Sequence, residues 1–175
     1  MLVRRLTARV ERPMVIDADG INALADAAMI LEGDHAPAVL TPHPGEMARL
    51  MQVATEKVQA RRTHFAESAA KRFKSTIVLK GACSVIADPV RSLAINATGN
   101  PGMATGGTGD VLTGMVAGLI AQGLLPFEAA TAATYLHGLA GDIAAEKIGQ
   151  GSMLASDLVE AVPEAIQRVM ASPSW

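Results

Sequence analysis

Short unbroken apolar runs alternate along this chain with stretches whose apolar residues recur every three or four positions. "PMVI" (13–16), "AVLT" (38–41) and "TIVLK" (76–80) are runs of the first kind. Runs without in–out alternation predict strands buried on both faces. A turn signal stops each one: "DADG" after Ile16, "PHPGE" after Thr41, and Gly81 with Ala82 after Lys80. Between the first two, Ile21, Leu24, Ala25, Ala28 and Leu31 fall on one helical face that Gly33 closes. Pro44–Met51 predicts a short helix with proline at its first position. Thr55 predicts the cap of a longer helix reaching about Lys74, with Val58, Phe65, Ala69 and Phe73 inward and Arg61, Arg62, Lys71 and Arg72 facing water. "SVIAD" (84–88) and "SLAIN" (92–96) predict antiparallel additions. Helices are predicted from Thr108 to Gln122 and from Pro126 to about Lys147. "ASDLVEAVPEAIQRVM" reads as one helix kinked at Pro163, or as two short ones. Strands separated by helices imply a largely parallel sheet covered on both sides, so the expectation is a single α/β domain spanning 1–175.

Composition narrows the picture. Half of the 175 residues are hydrophobic and 18% are charged, which suits a folded domain. Aromatics make up only 3%, so the core is built from aliphatic residues. A formal charge of -2 predicts neither a nucleic-acid partner nor a membrane-surface patch. The apolar run Val111–Leu125 is interrupted by Thr113, Gln122 and glycines and is shorter than the ~20 residues of a membrane span. Cys83 is the single cysteine, which excludes an intrachain disulfide and fits a reducing compartment. The arginine-rich start, "MLVRRLTARVERP", contains Glu11 and no cleavage-like apolar core. Residues 1–12 are therefore expected to be peripheral, and the protein cytoplasmic.

The candidate chemistry begins at "GGTGD", Gly106–Asp110, directly before a predicted helix. A helix start leaves backbone N–H groups without partners and carries roughly half a positive charge. Glycines there let the chain turn tightly and bring amides to phosphate oxygens. The Thr105 and Thr108 hydroxyls are candidate extra donors. Asp110 repels a phosphate, so it makes sense as a base facing a substrate hydroxyl, or else as a helix-dipole complement. Neither G-x-x-x-x-G-K-[ST] nor a post-strand G-x-G-x-x-G is present, so the cradle is of another design.

Elsewhere the residues leave alternatives open. His43 sits between two prolines just past an apolar strand, where ligands bind in open α/β sheets, or else is an ordinary surface-loop histidine. Glu46 is equally a first-turn acid favoured by the helix dipole. Lys80 ends a buried strand, either snorkelling or serving the site. Cys83 is expected to be buried or incidental, since nothing nearby in sequence depresses its pKa. His137 falls on an alanine-rich helix face and reads as packing. Asp17, Asp19 and Asn22 read first as turn and cap formers, with lining the site as a second role. His35, His43, His64 and His137 lack zinc-site spacing.

"NPGMATGGTGDVLTGMVAG" (100–118) closely resembles the anion-hole signature of the ribokinase-like superfamily. "VIDADGINAL" (15–24), "LTPHPGEMARL" (40–50) and "VLKGACSVIAD" (78–88) follow the order seen in its NAD(P)H-hydrate dehydratase family. The similarity runs through "ATYLHGLAGDIAAE" and "ASDLVEAVP", covering nearly all the chain from Pro13. It implies a three-layer α/β/α fold with a mostly parallel sheet and ADP-dependent dehydration of (S)-hydrated NADH or NADPH, with AMP and phosphate as further products. Carried over, Asp110 is the catalytic base and touches the hydrate, and His43 contacts the hydrated nucleotide. Asn100, Gly106, Gly107, Thr108 and Gly109 hold the nucleotide's phosphates. Lys80, Gly81, Ala82, Cys83 and Ser84 form a further nucleotide-contacting segment, with Ser84 where the family often has threonine. Glu46 matches an acid that helps hold Mg²⁺ through water. A homo-oligomer, such as a tetramer, and a functional link to an NAD(P)H-hydrate epimerase are also implied. The family's domain is longer at its amino end, so the expectation is a shortened sheet with an unpaired edge and a pocket missing one wall. A small-alcohol kinase of the hydroxyethylthiazole type and an inactive nucleotide-binding remnant are the competing readings.

Overall fold

Alternate side chains of each inner strand meet two different sets of helices, and that alternation builds the layers. In a computed structural model of the chain, which describes residues 2–91 and 93–171, the elements run α1 (Leu2–Thr7), β1 (Met14–Ile16), α2 (Asp19–Ala25), α3 (Met29–Glu32), β2 (Ala38–Leu40), α4 (Pro44–Met51), α5 (Thr55–Ala60), α6 (Arg62–Phe73), β3 (Thr76–Leu79), β4 (Val85–Ala87), β5 (Ala94–Ile95), α7 (Thr108–Ala121), α8 (Pro126–Ile148) and α9 (Ala155–Met170). Ala38, Leu40, Ile77, Leu79, Val85 and Ala87 pack into one core with residues of α2, α4 and α6 such as Leu24, Met47 and Phe73. Val39, Val78 and Ile86 point the other way, onto Leu112 and Val116 of α7 and Ala130 and Ala133 of α8. Period-two geometry thus turns runs that look uniformly apolar into a sheet buried on both faces. A third cluster joins α8 to α9 through Ile143, Met153, Leu158 and Ala165.

The sheet order is β1-β2-β3-β4-β5. β1, β2 and β3 run parallel. β4 and β5 are antiparallel additions, as the sequence predicts for "SVIAD" and "SLAIN"; Ser92 of the latter lies outside the described residues. Among the described residues, β1 pairs with β2 alone. A groove of about 380 Å³ runs beside it, lined by Arg12, Pro13, Val15, Ala117, Ile120 and Ala121. α1 lies over α2, with Thr7 buried and Arg4 Nε donating to Ala23 O at 2.7 Å.

Several local expectations change. The predicted helix from Thr55 to Lys74 is two helices, because Arg61 leaves helical geometry at φ -142°, ψ 49°. Ala54, not Thr55, is its N-cap residue, and no side chain caps it. Arg62, expected in water, turns inward and donates from Nη2 to Leu79 O at 3.0 Å and Cys83 O at 3.4 Å. The guanidinium thus ties the end of β3 to the turn that follows it. The 21–33 stretch also breaks, ending α2 at Ala25 before the short α3 begins at Met29. The tail is one helix through Pro163. No helix among the described residues is long and apolar enough to cross a membrane.

Candidate functional site

Parallel pairing brings the carboxyl ends of β1, β2 and β3 together, and α7 begins beside them. Hydrogen bonds to α8 hold the approach to the glycine loop. Asn96 and Thr98 tie its approach to α8, with Asn96 Nδ2 3.3 Å from Thr134 O and Thr98 Oγ1 2.9 Å from Tyr135 O. Two turns on, Asp142 accepts from Gly99 N at 2.8 Å and from Asn100 Nδ2 at 3.0 Å. Asn100 Oδ1 in turn accepts from Gly102 N at 3.0 Å, capping a 3₁₀ turn over Pro101–Met103. Asn100's side chain is therefore committed to shaping the loop.

Gly107 is the N-cap of α7 at φ 90°, a left-handed conformation that explains the glycine. No side chain caps this helix, so its first amides are left for a ligand. Nothing lies within 4 Å of where a side chain would start at Gly106, which leaves the approach open. Thr108 is buried, and its hydroxyl sits 2.8 Å from Met103 O and 2.9 Å from Thr105 O. Against the sequence expectation that this hydroxyl is an extra phosphate donor, it braces the loop. A backbone carbonyl five residues back is the stronger claim on a buried hydroxyl. Asp110, in the first turn, is exposed, and no hydrogen bond or ion pair to a described residue holds its carboxylate. It is free to face a substrate.

Beneath the helix start, His137 Nε2 donates to Thr108 O at 2.8 Å. Burial pushes the imidazole's pKa below its ordinary value, the bond to Thr108 O partly offsets this, and the nearby Lys80 charge adds to the lowering. The histidine is packing, as its helix face suggests, but it packs the loop itself.

The residue that sequence reasoning placed mainly in a turn turns out to be central. Asp17 Oδ1 accepts from Lys80 Nζ at 2.6 Å, and Asp17 Oδ2 accepts from Thr113 Oγ1 at 3.0 Å. Burial alone would raise its pKa, but the Lys80 bond and charge and the Thr41 and Thr113 hydroxyls outweigh that and hold it low. A methyl placed on Gly109 would lie 3.5 Å from both Asp17 Oδ2 and Lys80 Nζ. Lys80, Asp17 and the start of α7 thus form one cluster.

The rest of the 80–84 segment forms the exposed β3–β4 turn. Gly81 has φ 141°, and a side chain on it would collide with Arg62 Nη1. Ala82 is exposed, and Ser84 Oγ donates to Gly81 O at 3.1 Å. Cys83 is exposed, not buried, because the turn holds it at φ 51° facing outward. The segment stands at the same sheet end, since Lys80 N donates to Pro42 O at 2.9 Å.

His43 and Glu46 form a capping box on α4. His43 Nδ1 accepts from Gly45 N at 3.0 Å and Glu46 N at 3.3 Å, so the proton of the neutral ring is on Nε2, 3.4 Å from Glu46 Oε1. Glu46 Oε2 accepts from His43 N at 2.8 Å. The imidazole side chain remains 51% exposed, whereas that of Glu46 is 5% exposed. A ligand can reach the His43 ring face, but Glu46 turns both oxygens toward His43. Among the described residues, no group of three His, Cys, Asp or Glu side chains could hold a metal ion. Mg²⁺ is held by one or two carboxylates together with waters and phosphate oxygens, a role the Glu46 carboxylate, bonded to His43, would fill only through water.

A family model for NAD(P)H-hydrate dehydratase of the carbohydrate-kinase type matches residues 3–164. The chain belongs to the NAD(P)H-hydrate dehydratase family. The bifunctional NAD(P)H-hydrate repair enzyme of Moorella thermoacetica is 51% identical over 168 residues, covering 96% of this chain and 32% of that protein. The ADP-dependent (S)-NAD(P)H-hydrate dehydratase of Neisseria meningitidis is 40% identical over 159 residues, covering 89% of this chain and 54% of that protein. An ADP/ATP-dependent NAD(P)H-hydrate dehydratase from Bacillus subtilis, co-crystallized with ATP/Mg²⁺, superposes with a TM-score of 0.81 at 32% identity, over 92% of this chain and 56% of that one. A ribokinase-like superfamily protein from Enterococcus faecalis gives the same TM-score, 0.81, at 30% identity, so the dehydratase fold is ribokinase-like. The chain spans between about a third and just over half of the length of these dehydratases.

Proposed function

We propose that this chain carries the phosphate-transfer half of an ADP-dependent (S)-NAD(P)H-hydrate dehydratase, restoring NADH or NADPH from its hydrate with release of AMP and phosphate. One observation carries the proposal: an exposed, unpartnered carboxylate, Asp110, in the first turn of a helix whose amides face an open glycine loop. The amides from Gly106 to Gly109 would hold the terminal phosphoryl group of ADP. Asp110 would accept the hydrate's hydroxyl proton as that oxygen bonds to phosphorus and AMP leaves. Loss of phosphate, with a proton from the neighbouring carbon, then restores the double bond. The 80–84 turn would border the nucleotide, and the exposed His43 ring would border the hydrated nicotinamide. The name of the Neisseria relative supports ADP as the phosphoryl donor, and that of the Bacillus relative supports ADP or ATP. The bifunctional Moorella relative supports a functional link to a second repair activity, which we take to be an NAD(P)H-hydrate epimerase. Exposed Val159, Ile166 and Met170 along α9 support a homo-oligomer.

Mixing the protein with ADP and hydrated NADH and following the absorbance of restored NADH tests the reading. Asp110→Ala should lose turnover about 10²- to 10⁴-fold while ADP binding is kept or improved. Flat absorbance with a phosphorylated small alcohol would replace the dehydratase with a kinase. Loss of ADP binding in Asp110→Ala would make the carboxylate structural.

A further inference from the structure

A cation beside a helix N-terminus is unfavourable, since both carry positive charge. Lys80 is nonetheless held there, within van der Waals reach of where a Gly109 side chain would begin. Asp17 makes the placement tolerable. Its carboxylate comes from the end of β1, the ammonium from the end of β3, and the second tether, Thr113, from the next turn of α7. The lysine side chain is 21% exposed and the aspartate 9%. Lysine has three donors, and among the described residues Asp17 accepts one of them. The two others remain for a ligand. A long, flexible stem is thereby ordered before any ligand arrives, which removes an entropic cost from binding.

We infer that Asp17 is a positioning residue: bridging Lys80 and Thr113, it serves as a built-in counter-anion that aims the Lys80 ammonium at the phosphate site beside Gly109. The inference rests on the proposed binding of a nucleotide phosphate at the glycine loop. When the phosphate binds, it meets the helix amides and an already oriented cation, and Asp17 keeps the oxygen of its second tether on Thr113. The two carboxylates of the site then divide the work. Asp110 touches the reacting alcohol, and Asp17 acts through Lys80.

The test uses purified wild type, Asp17→Asn, Lys80→Gln and the double variant, with Mg²⁺-ADP as the probe in calorimetry. A second readout is the rate at which an amine-acylating reagent modifies Lys80, followed by mass spectrometry with and without ADP. Asp17→Asn should raise the Kd for ADP about tenfold, a loss of about 1.4 kcal/mol. Lys80→Gln should do the same, and the double variant should be no worse than Lys80→Gln alone. Lys80 should be labelled slowly in wild type, more slowly with ADP, and faster in Asp17→Asn. Asp17→Glu should restore part of the affinity. If Asp17→Asn does not fold, Thr113→Val removes one tether only and should give an intermediate rise in labelling. The inference falls if Asp17→Asn lowers thermal stability while leaving affinity and labelling unchanged, or if the two single effects multiply. ADP bound in calorimetry without protection of Lys80 overturns this inference alone. No ADP binding by wild type overturns the phosphate-site reading and, with it, this one.

Discussion

Gly138→Ala sets two opposing effects against each other, and the structure decides which wins. Gly138 lies inside α8, where alanine would gain about 1 kcal/mol of helix propensity. At this position, however, a methyl would meet Thr98 Oγ1 and stand 2.7 Å from Thr98 C and 2.8 Å from Thr98 O. Carbon contacts normally settle at about 3.5–4.0 Å, so the loop backbone must retreat. It is not free to do so. Thr98 Oγ1 lies 2.9 Å from Tyr135 O, and Gly99 N donates to Asp142 Oδ2 at 2.8 Å, bonds placed one turn either side of the clash. Overpacking of this kind costs about 1–3 kcal/mol, and losing one of the bonds adds about 1 kcal/mol. The propensity gain cancels only the latter, so the net is a destabilisation of about 1–3 kcal/mol. For a chain of this length that is a drop of roughly 2–12 °C in Tm. Thermal unfolding reads it directly, and calorimetry should show weaker ADP binding, because the same loop carries Gly106 and Gly107. An unchanged or higher Tm would refute the reasoning, showing that the loop yields freely and is not pinned by α8.

Three further outcomes follow from other parts of the site. Arg62→Ala should cost about 1.5–3 kcal/mol per lost charged bond in chemical denaturation and loosen the 80–84 turn, and Arg62→Lys should not restore both carbonyl contacts. Gly107→Ala, forced to φ 90°, should lose about 1–3 kcal/mol in urea unfolding. His137 keeps its neutral form in the fold, so its contribution is complete above about pH 6.5 and is lost as pH falls below that toward its depressed folded value. Tm should fall between pH 7.5 and 5.5, and His137→Gln should flatten that slope. Asp17 adds a loss of the same sign only below about pH 3.9, as pH drops through its lowered folded value.

The sequence by itself determined the layered α/β architecture, the antiparallel β4 and β5, and the glycine-led start of α7 with Asp110 in its first turn. These follow from periodicity and from neighbours within a few residues, where backbone geometry leaves few choices. The break at Arg61 was illegible, since 55–74 holds a helical pattern and contains neither Gly nor Pro. Arg62 looked solvated because its acceptors are supplied by the β3–β4 turn, 17 and 21 residues away. The sequence left Cys83 either buried or incidental, and its exposure was illegible because a left-handed non-glycine residue leaves no mark in sequence. Only tertiary structure could decide the role of Asp17, whose partners are 63 and 96 residues distant. Parallel strands put residues from remote segments at one end of the sheet, so charges that neutralise each other there have no reason to be close along the chain.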